Sequence, residues 1–151
     1  MIVADTGAVL ALLDRGDRHH AAMHALYVSD PDAWVLPWAI LPEVDYLTAA
    51  KLGDRAERAW LDDVAGGGFG VEWGSAGDLA QAQALVERYE GLRMGLVDAV
   101  VMVTAERLSA DIATLDLRHF AVVRLKHKPR LFPRDLGAPG RTSPASRHRA
   151  K

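Results

Sequence analysis

The spacing of apolar positions changes along the chain between short solid runs and helical stripes, and this alternation predicts the elements. Met1 to Ala4 is a short apolar run, Asp5-Thr6-Gly7 follows, and Ala8 to Leu13 is rich in helix formers, which predicts strand, turn and short helix. Asp17 is placed to cap a second helix running to about Val28, with Ala21, Ala22, Ala25 and Leu26 near helical spacing, before Asp30-Pro31-Asp32 breaks it. Trp34-Val35-Leu36 is a fully apolar strand candidate ended by Pro37. Pro42-Glu43 suits the first turn of a helix that reaches Lys51 and stops at Gly53, and a fourth helix spans Asp54 to Val64.

After the loop Gly66-Gly67-Gly68, Phe69 to Trp73 alternates as a short strand does. Ser75-Ala76-Gly77-Asp78 has the form of a capping box opening a helix striped by Leu79, Ala82, Leu85, Val86 and Tyr89, with Gly91 ending it. Leu96 to Ser109 is apolar nearly all round, which predicts a helix buried inside the domain. Asp111 to Leu115 and Ala121 to Leu125 are two further buried-strand candidates. Strands separated by helices predict an α/β fold of three layers, α/β/α, around a central parallel sheet.

The chain of 151 residues is half apolar and one quarter charged, enough for one core of its own. It has no cysteine, which excludes a disulfide scaffold, a thiolate metal site and a cysteine nucleophile, and fits a reducing compartment. No signal peptide or membrane span is legible, so a soluble, cytoplasmic protein is the expectation. The formal net charge of -2 conceals a division. Residues 1–116 hold eight Lys and Arg against nineteen Asp and Glu, whereas residues 117–151 hold ten against one. An acidic, cation-binding body with a basic end suited to a polyanion fits this split. Gly, Pro, Ser, Thr and Arg dominate from Gly137, so the expected organisation is a domain over 1–136 and a basic, disordered tail over 137–151.

Four carboxylates carry the candidate chemistry. In an open parallel sheet, functional groups collect beyond the carboxyl ends of the strands, where Asp5 and Asp116 both fall. Asp98 lies in the first turn of the buried helix, beside Val101 and Met102, and Glu43 has Ile40, Tyr46 and Leu47 around it, so both are expected against apolar surroundings. Each acid singly is better read as a cap or turn former. Four of them from separate elements, each costly to ionise in such a setting, favour a cradle for a hard divalent cation such as Mg2+ or Mn2+. A metal so held beside a phosphodiester is nuclease chemistry.

In these residues the sequence resembles the PIN-domain nucleases, and within them the VapC-type toxins of toxin-antitoxin pairs. The resemblance spans nearly all of residues 1–133 and rests on Ile2-Val3-Ala4-Asp5-Thr6-Gly7-Ala8 with Leu10 and Leu13, on Asp17-Arg18-His19-His20, on Glu43, on Leu96-Val97-Asp98-Ala99, and on Thr114-Leu115-Asp116 with Phe120. It implies a three-layer PIN-like fold, a divalent-metal-dependent endoribonuclease and a small cognate antitoxin that blocks the site. It also implies Asp5 and Asp98 as metal ligands, Glu43 and Asp116 as the rest of an acidic quartet, and Thr6 and Thr114 as polar support. Gly7 stands where many relatives have Ser. The relatives commonly pair, and the apolar and aromatic surface of the first helices exceeds what one small sheet needs, so a homodimer is expected.

Arg118, Arg124, Lys126 and Lys128 are the candidates for holding an RNA backbone. His20 and His24 lie one turn apart, but with no third ligand at sensible spacing they are better read as packing or a solvated face. Trp34, Trp38, Trp60 and Trp73 fit core or dimer contacts better than base stacking. Two other classes of function compete. A phosphorelay receiver also has acids at strand ends, a Thr and a Lys-Pro pair, here Thr114 and Lys128-Pro129, but it needs adjacent acids after its first strand, where Asp5 stands alone. A PIN-like module that binds RNA or protein without cutting has no need to concentrate four acids against an anionic ligand.

Overall fold

The computed structural model describes residues 1–137; the expected tail over 137–151 lies, from residue 138 on, outside the described residues. Five strands form one parallel sheet: β1 (Ile2–Ala4), β2 (Trp34–Pro37), β3 (Gly70–Glu72), β4 (Asp111–Ala113) and β5 (Leu131–Phe132), in the order β3-β2-β1-β4-β5. Ile2 pairs with Trp34 on one side and with Asp111 on the other, so β1 lies at the centre with both neighbours parallel to it. Seven α-helices surround the sheet among the described residues: α1 (Thr6–Leu13), α2 (His20–Ser29), α3 (Leu41–Leu52), α4 (Asp54–Ala65), α5 (Asp78–Arg88), α6 (Leu96–Leu108) and the single turn α7 (Leu117–Phe120). The α/β/α architecture with a parallel sheet expected from the alternation is the one found. A receiver-type doubly wound sheet is ordered 2-1-3-4-5 instead.

The solid apolar runs end up buried on both faces. Val3, Ala4, Leu36, Ile112 and Ala113 fill the sheet, and α6 buries every residue from Ala99 to Ala105 as it packs against β1 and β2. That is why α6 shows no polar stripe. Trp34 and Trp60 are core residues, whereas Trp38 and Trp73 are exposed. Among the described residues no helix is long and apolar enough to cross a membrane.

Two expectations need correction. The segment Ala121 to Leu125 is not a strand. The N–H groups of Ala121, Val122 and Val123 donate to Leu117 O and His119 O, continuing the turn of α7, so they are not available to a sheet ladder. The place beside β4 is taken by Leu131–Phe132, through Ile112 N–H to Arg130 O (3.0 Å) and Thr114 N–H to Phe132 O (2.9 Å). Arg130 fixes that register with a 2.6 Å ion pair to Asp111, a contact between residues far apart in sequence that local pattern does not report. The second helix begins at His20, because Asp17 closes a separate turn by accepting the His19 N–H at 2.7 Å.

Candidate active site

With β1 at the centre, β2 joins it on one side and β4 on the other, so the chain order reverses between β1 and β4. At that switch point the connections leave in opposite directions and open a crevice beyond the strand ends. Asp5 follows β1 and Asp116 follows β4, and both line one cleft of about 640 Å³ with Thr6, Glu43, Asp98 and Arg118. All four expected acids therefore converge, brought from β1, α3, α6 and the end of β4. Leu10, Leu47, Leu115 and Leu117 supply apolar walls.

Asp5 caps α1, its Oδ1 accepting the Ala8 N–H at 2.7 Å. Its Oδ2 accepts the Thr114 hydroxyl at 2.5 Å, and Thr114 Oγ1 in turn accepts the Asp116 N–H at 3.0 Å. Thr114 thus ties the two strand ends together through their acids. Asp5 is 5% exposed and, among the described residues, pairs with no cationic side chain. Burial pushes its pKa up to about 7; the bonds from Thr114 and Ala8 oppose this, and the charges of Asp98 and Asp116 add to it. Asp116 caps α7 and chelates the Arg118 guanidinium, which holds its carboxyl below the ordinary value. The cap and cleft readings of Asp5 and Asp116 therefore hold together, since one oxygen closes the helix while the carboxylate faces the cavity.

Asp98 is half-buried rather than enclosed by apolar groups, because His119 faces it. His119 Nδ1 lies 2.6 Å from Asp98 Oδ2 and 3.5 Å from Asp116, and its Nε2 lies 3.1 Å from Leu92 O. The His119 ring thus bridges the Leu92 carbonyl and the Asp98 carboxylate. Burial raises the Asp98 pKa, His119 opposes the rise, and Asp116 and Glu43 reinforce it. Glu43 is exposed at the rim, contrary to the apolar setting expected from its helix neighbours, because Tyr46 also points to solvent and the helix turns this face outward.

The family model described as PIN domain matches residues 2–125. The chain belongs to the PIN-domain family. Ribonuclease VapC26 of Mycobacterium tuberculosis (strain ATCC 25618 / H37Rv) is 37% identical over 124 residues, which make up 82% of this chain and 92% of that protein. The crystal structure of Mycobacterium tuberculosis VapC20, a Sarcin-Ricin loop cleaving toxin, superposes with a TM-score of 0.66 at 25% identity, covering 72% of this chain and 84% of that one. VapBC2 from Rickettsia felis, bound to a DNA fragment from their promoter, gives 0.63 at 16% identity over 87% and 97% of the two chains, a likeness of fold alone.

The donors of this PIN domain suit a hard divalent cation. Asp5 is a buried carboxylate with no compensating charge, Thr6 Oγ1 is a buried hydroxyl without a hydrogen-bond partner, and Asp98, Asp116 and His119 offer ligand atoms within 4.8 Å of one another. His119 went unnoticed in the sequence, although it stands three residues after Asp116 in the one-turn helix that Asp116 caps. The basic candidates separate. Arg118 lies in the cleft, Arg124 and Lys128 share another depression with Arg134, and Lys126 lies in a third with Arg88 and Glu106. His20 packs back onto α1, its Nδ1 lying 3.0 Å from Ala11 O, in keeping with the packing expected of it rather than a metal pair with His24.

Proposed function

We propose that this PIN domain is a divalent-metal-dependent endoribonuclease and the toxin of a toxin-antitoxin pair, working in the cytoplasm. The observation that carries the reading is Asp5, a buried carboxylate left without a cation in a cleft where three more acids from separate elements meet. The 37% identical ribonuclease supports it. Four acids facing a phosphodiester repel it unless a cation stands between them. Asp5 and Asp98 are the residues to hold Mg2+ or Mn2+, with Asp116 and Glu43 completing the acidic set and Thr6 and Thr114 supporting them. When bound, such an ion supplies positive charge to the scissile phosphate and lowers the pKa of water.

The protein's own groups orient this chemistry. Thr114 and the Ala8 N–H fix both oxygens of Asp5, so the carboxylate is presented without rearrangement. The chain Leu92 O, His119, Asp98 fixes the second carboxylate in the same way. Arg118, on the exposed rim, is placed to meet a substrate phosphate.

The bidentate pair of Arg118 with Asp116 shows that this cleft accommodates a guanidinium, which favours an antitoxin that silences it with a basic side chain. Exposed Trp38, Tyr46 and Trp73 favour a homodimer. The decisive experiment incubates purified protein with structured RNA containing single-stranded loops. Cleavage abolished by EDTA and restored by Mg2+ or Mn2+ is expected, and equal cleavage in EDTA overturns the mechanism.

A further inference from the structure

An acidic cleft poses a problem for a polyanionic substrate: a metal ion neutralises the reacting phosphate, but the phosphates on either side still approach a surface rich in carboxylates. Positive charge has to be found along the strand's path outside the cleft. Beyond Leu115 and Leu117, which line the cleft, the same two leucines line a second depression of about 230 Å³ together with Pro133 and Arg134. Arg134 in turn lines a third, of about 310 Å³, with Arg124 and Lys128 above a floor that includes Phe120, Val123 and Leu131. The first and second depressions adjoin at Leu115 and Leu117, and the second and third at Arg134, so the three lie in succession from the acids to Leu131 at the β5 edge of the sheet.

The charges along this path are not equivalent. Arg134 is paired with Asp135 at 2.7 Å, so part of its charge is already used. Arg124 and Lys128 are exposed, and their side chains have no ion pair or hydrogen bond among the described residues. Lys126, by contrast, sits on a different depression beside Glu106. We propose that this path is the track for single-stranded RNA leaving the cleft, with Arg124 and Lys128 holding its phosphates. The proposal rests on the nuclease reading and adds to it where the substrate strand runs. It also replaces a diffuse basic region with two named cations and excludes Lys126, the residue between them in sequence.

The test measures fluorescence anisotropy of a labelled single-stranded RNA long enough to span cleft and groove, titrated with full-length protein at increasing potassium chloride. An Asp5→Asn background keeps the RNA intact. Each phosphate contact to a single strand contributes about 0.7 to the slope of log K against log salt, so Arg124→Gln with Lys128→Gln lowers the slope by about 1.4. Lys126→Gln leaves it unchanged. With Asp5 restored, the double variant raises KM for RNA cleavage several-fold and leaves kcat as it was, because neither residue touches the acids. An unchanged slope and KM overturn the track, and so does an equal loss of slope per charge from Lys126→Gln. If the unsubstituted protein cuts no RNA, the nuclease reading fails, while the slopes still decide whether these two cations bind the strand.

Discussion

Asp5 and Asp78 are buried to nearly the same degree, 5% and 3% exposed, in opposite electrostatic circumstances. Around Asp78 the protein closes the account of charge. Ser75 donates its N–H and hydroxyl, and Arg107 on α6 reaches both Asp78 oxygens at 3.2 and 3.1 Å while also meeting Glu72 at 3.1 Å. Burial pushes the Asp78 pKa up, but Ser75 and Arg107 outweigh it and leave the carboxyl below its ordinary value. Around Asp5 there is a hydroxyl, one backbone N–H and further acids, and the pKa rises to about 7. The first arrangement joins β3, α5 and α6 as a structural link. The second leaves an unmet demand for positive charge at a cavity, which is what a functional site looks like in electrostatic terms.

If that contrast is right, the two acids respond oppositely to the same substitution, and this gives the largest expected effect. Asp5→Asn and Asp98→Asn each reduce RNA cleavage with Mn2+ by at least about a hundredfold in a folded protein. Asp78→Asn leaves cleavage within a few-fold but lowers stability by about 2 kcal/mol in urea unfolding, because Arg107 loses its two-oxygen partner and keeps only Glu72; the figure is held down by that residue's partial exposure. Wild-type cleavage by Asp5→Asn makes Asp5 a cap and nothing more.

The pH dependence of stability in EDTA sharpens the contrast. The folded pKa of Asp5 lies above the ordinary value of 3.8, so between about 4 and 7 the native state keeps a proton that the unfolded chain has lost. Its contribution is therefore fully present below that window and lost as pH rises through about 7, a loss of at most about 4 kcal/mol. Asp78 has the opposite sign: its contribution is present above its ordinary pKa and lost as pH falls through the lowered one. Thermal melts across pH should show Asp5→Asn flattening the neutral limb and Asp78→Asn flattening the acid limb. Identical slopes in all three proteins contradict this assignment.

A smaller effect is expected from His119→Gln, which loses the fixed bridge from Leu92 O to Asp98. Mn2+ affinity by calorimetry should fall about tenfold while the urea midpoint moves little. The smallest concerns Gly7. A Cβ there meets Asp5 Oδ1 at 3.6 Å, ordinary contact, so Gly7→Ser is accommodated and its hydroxyl comes within reach of the acid. Stability should rise by about 0.5 kcal/mol from helix propensity, with the neutral limb of the pH profile shallower than in the unsubstituted protein.

How much of this was legible follows from the range of each interaction. The buried helix over Leu96 to Ser109 and the strands at Trp34 and Asp111 were readable because burial on all sides removes polar periodicity. The pairing of Ser75 with Asp78 was readable because the two lie three residues apart, but only one bond of a capping box is present: the Ser75 N–H donates to Asp78, the Ser75 hydroxyl also donates to that carboxylate, and Gly77 takes the N-cap position of α5. The fifth strand was misplaced because Ala121 to Leu125 has the composition of a strand, while the pairing that makes Leu131–Phe132 one depends on Arg130 meeting Asp111. His119 was missed because its partners Asp98 and Leu92 are 21 and 27 residues away. Glu43 was correctly drawn into the cleft and wrongly enclosed.

By itself the sequence determined the α/β class, the buried helix and four acids on separate elements, since these depend on periodicity and on neighbours within a few residues. Only the tertiary structure decided that the order reverses between β1 and β4, that Thr114 bridges Asp5 to Asp116, and that Asp78 is neutralised while Asp5 is not. The physical reason is distance along the chain. Whether a buried carboxylate is compensated depends on which cation the packing brings to it, and Arg107 reaches Asp78 across 29 residues while, among the described residues, no basic side chain reaches Asp5.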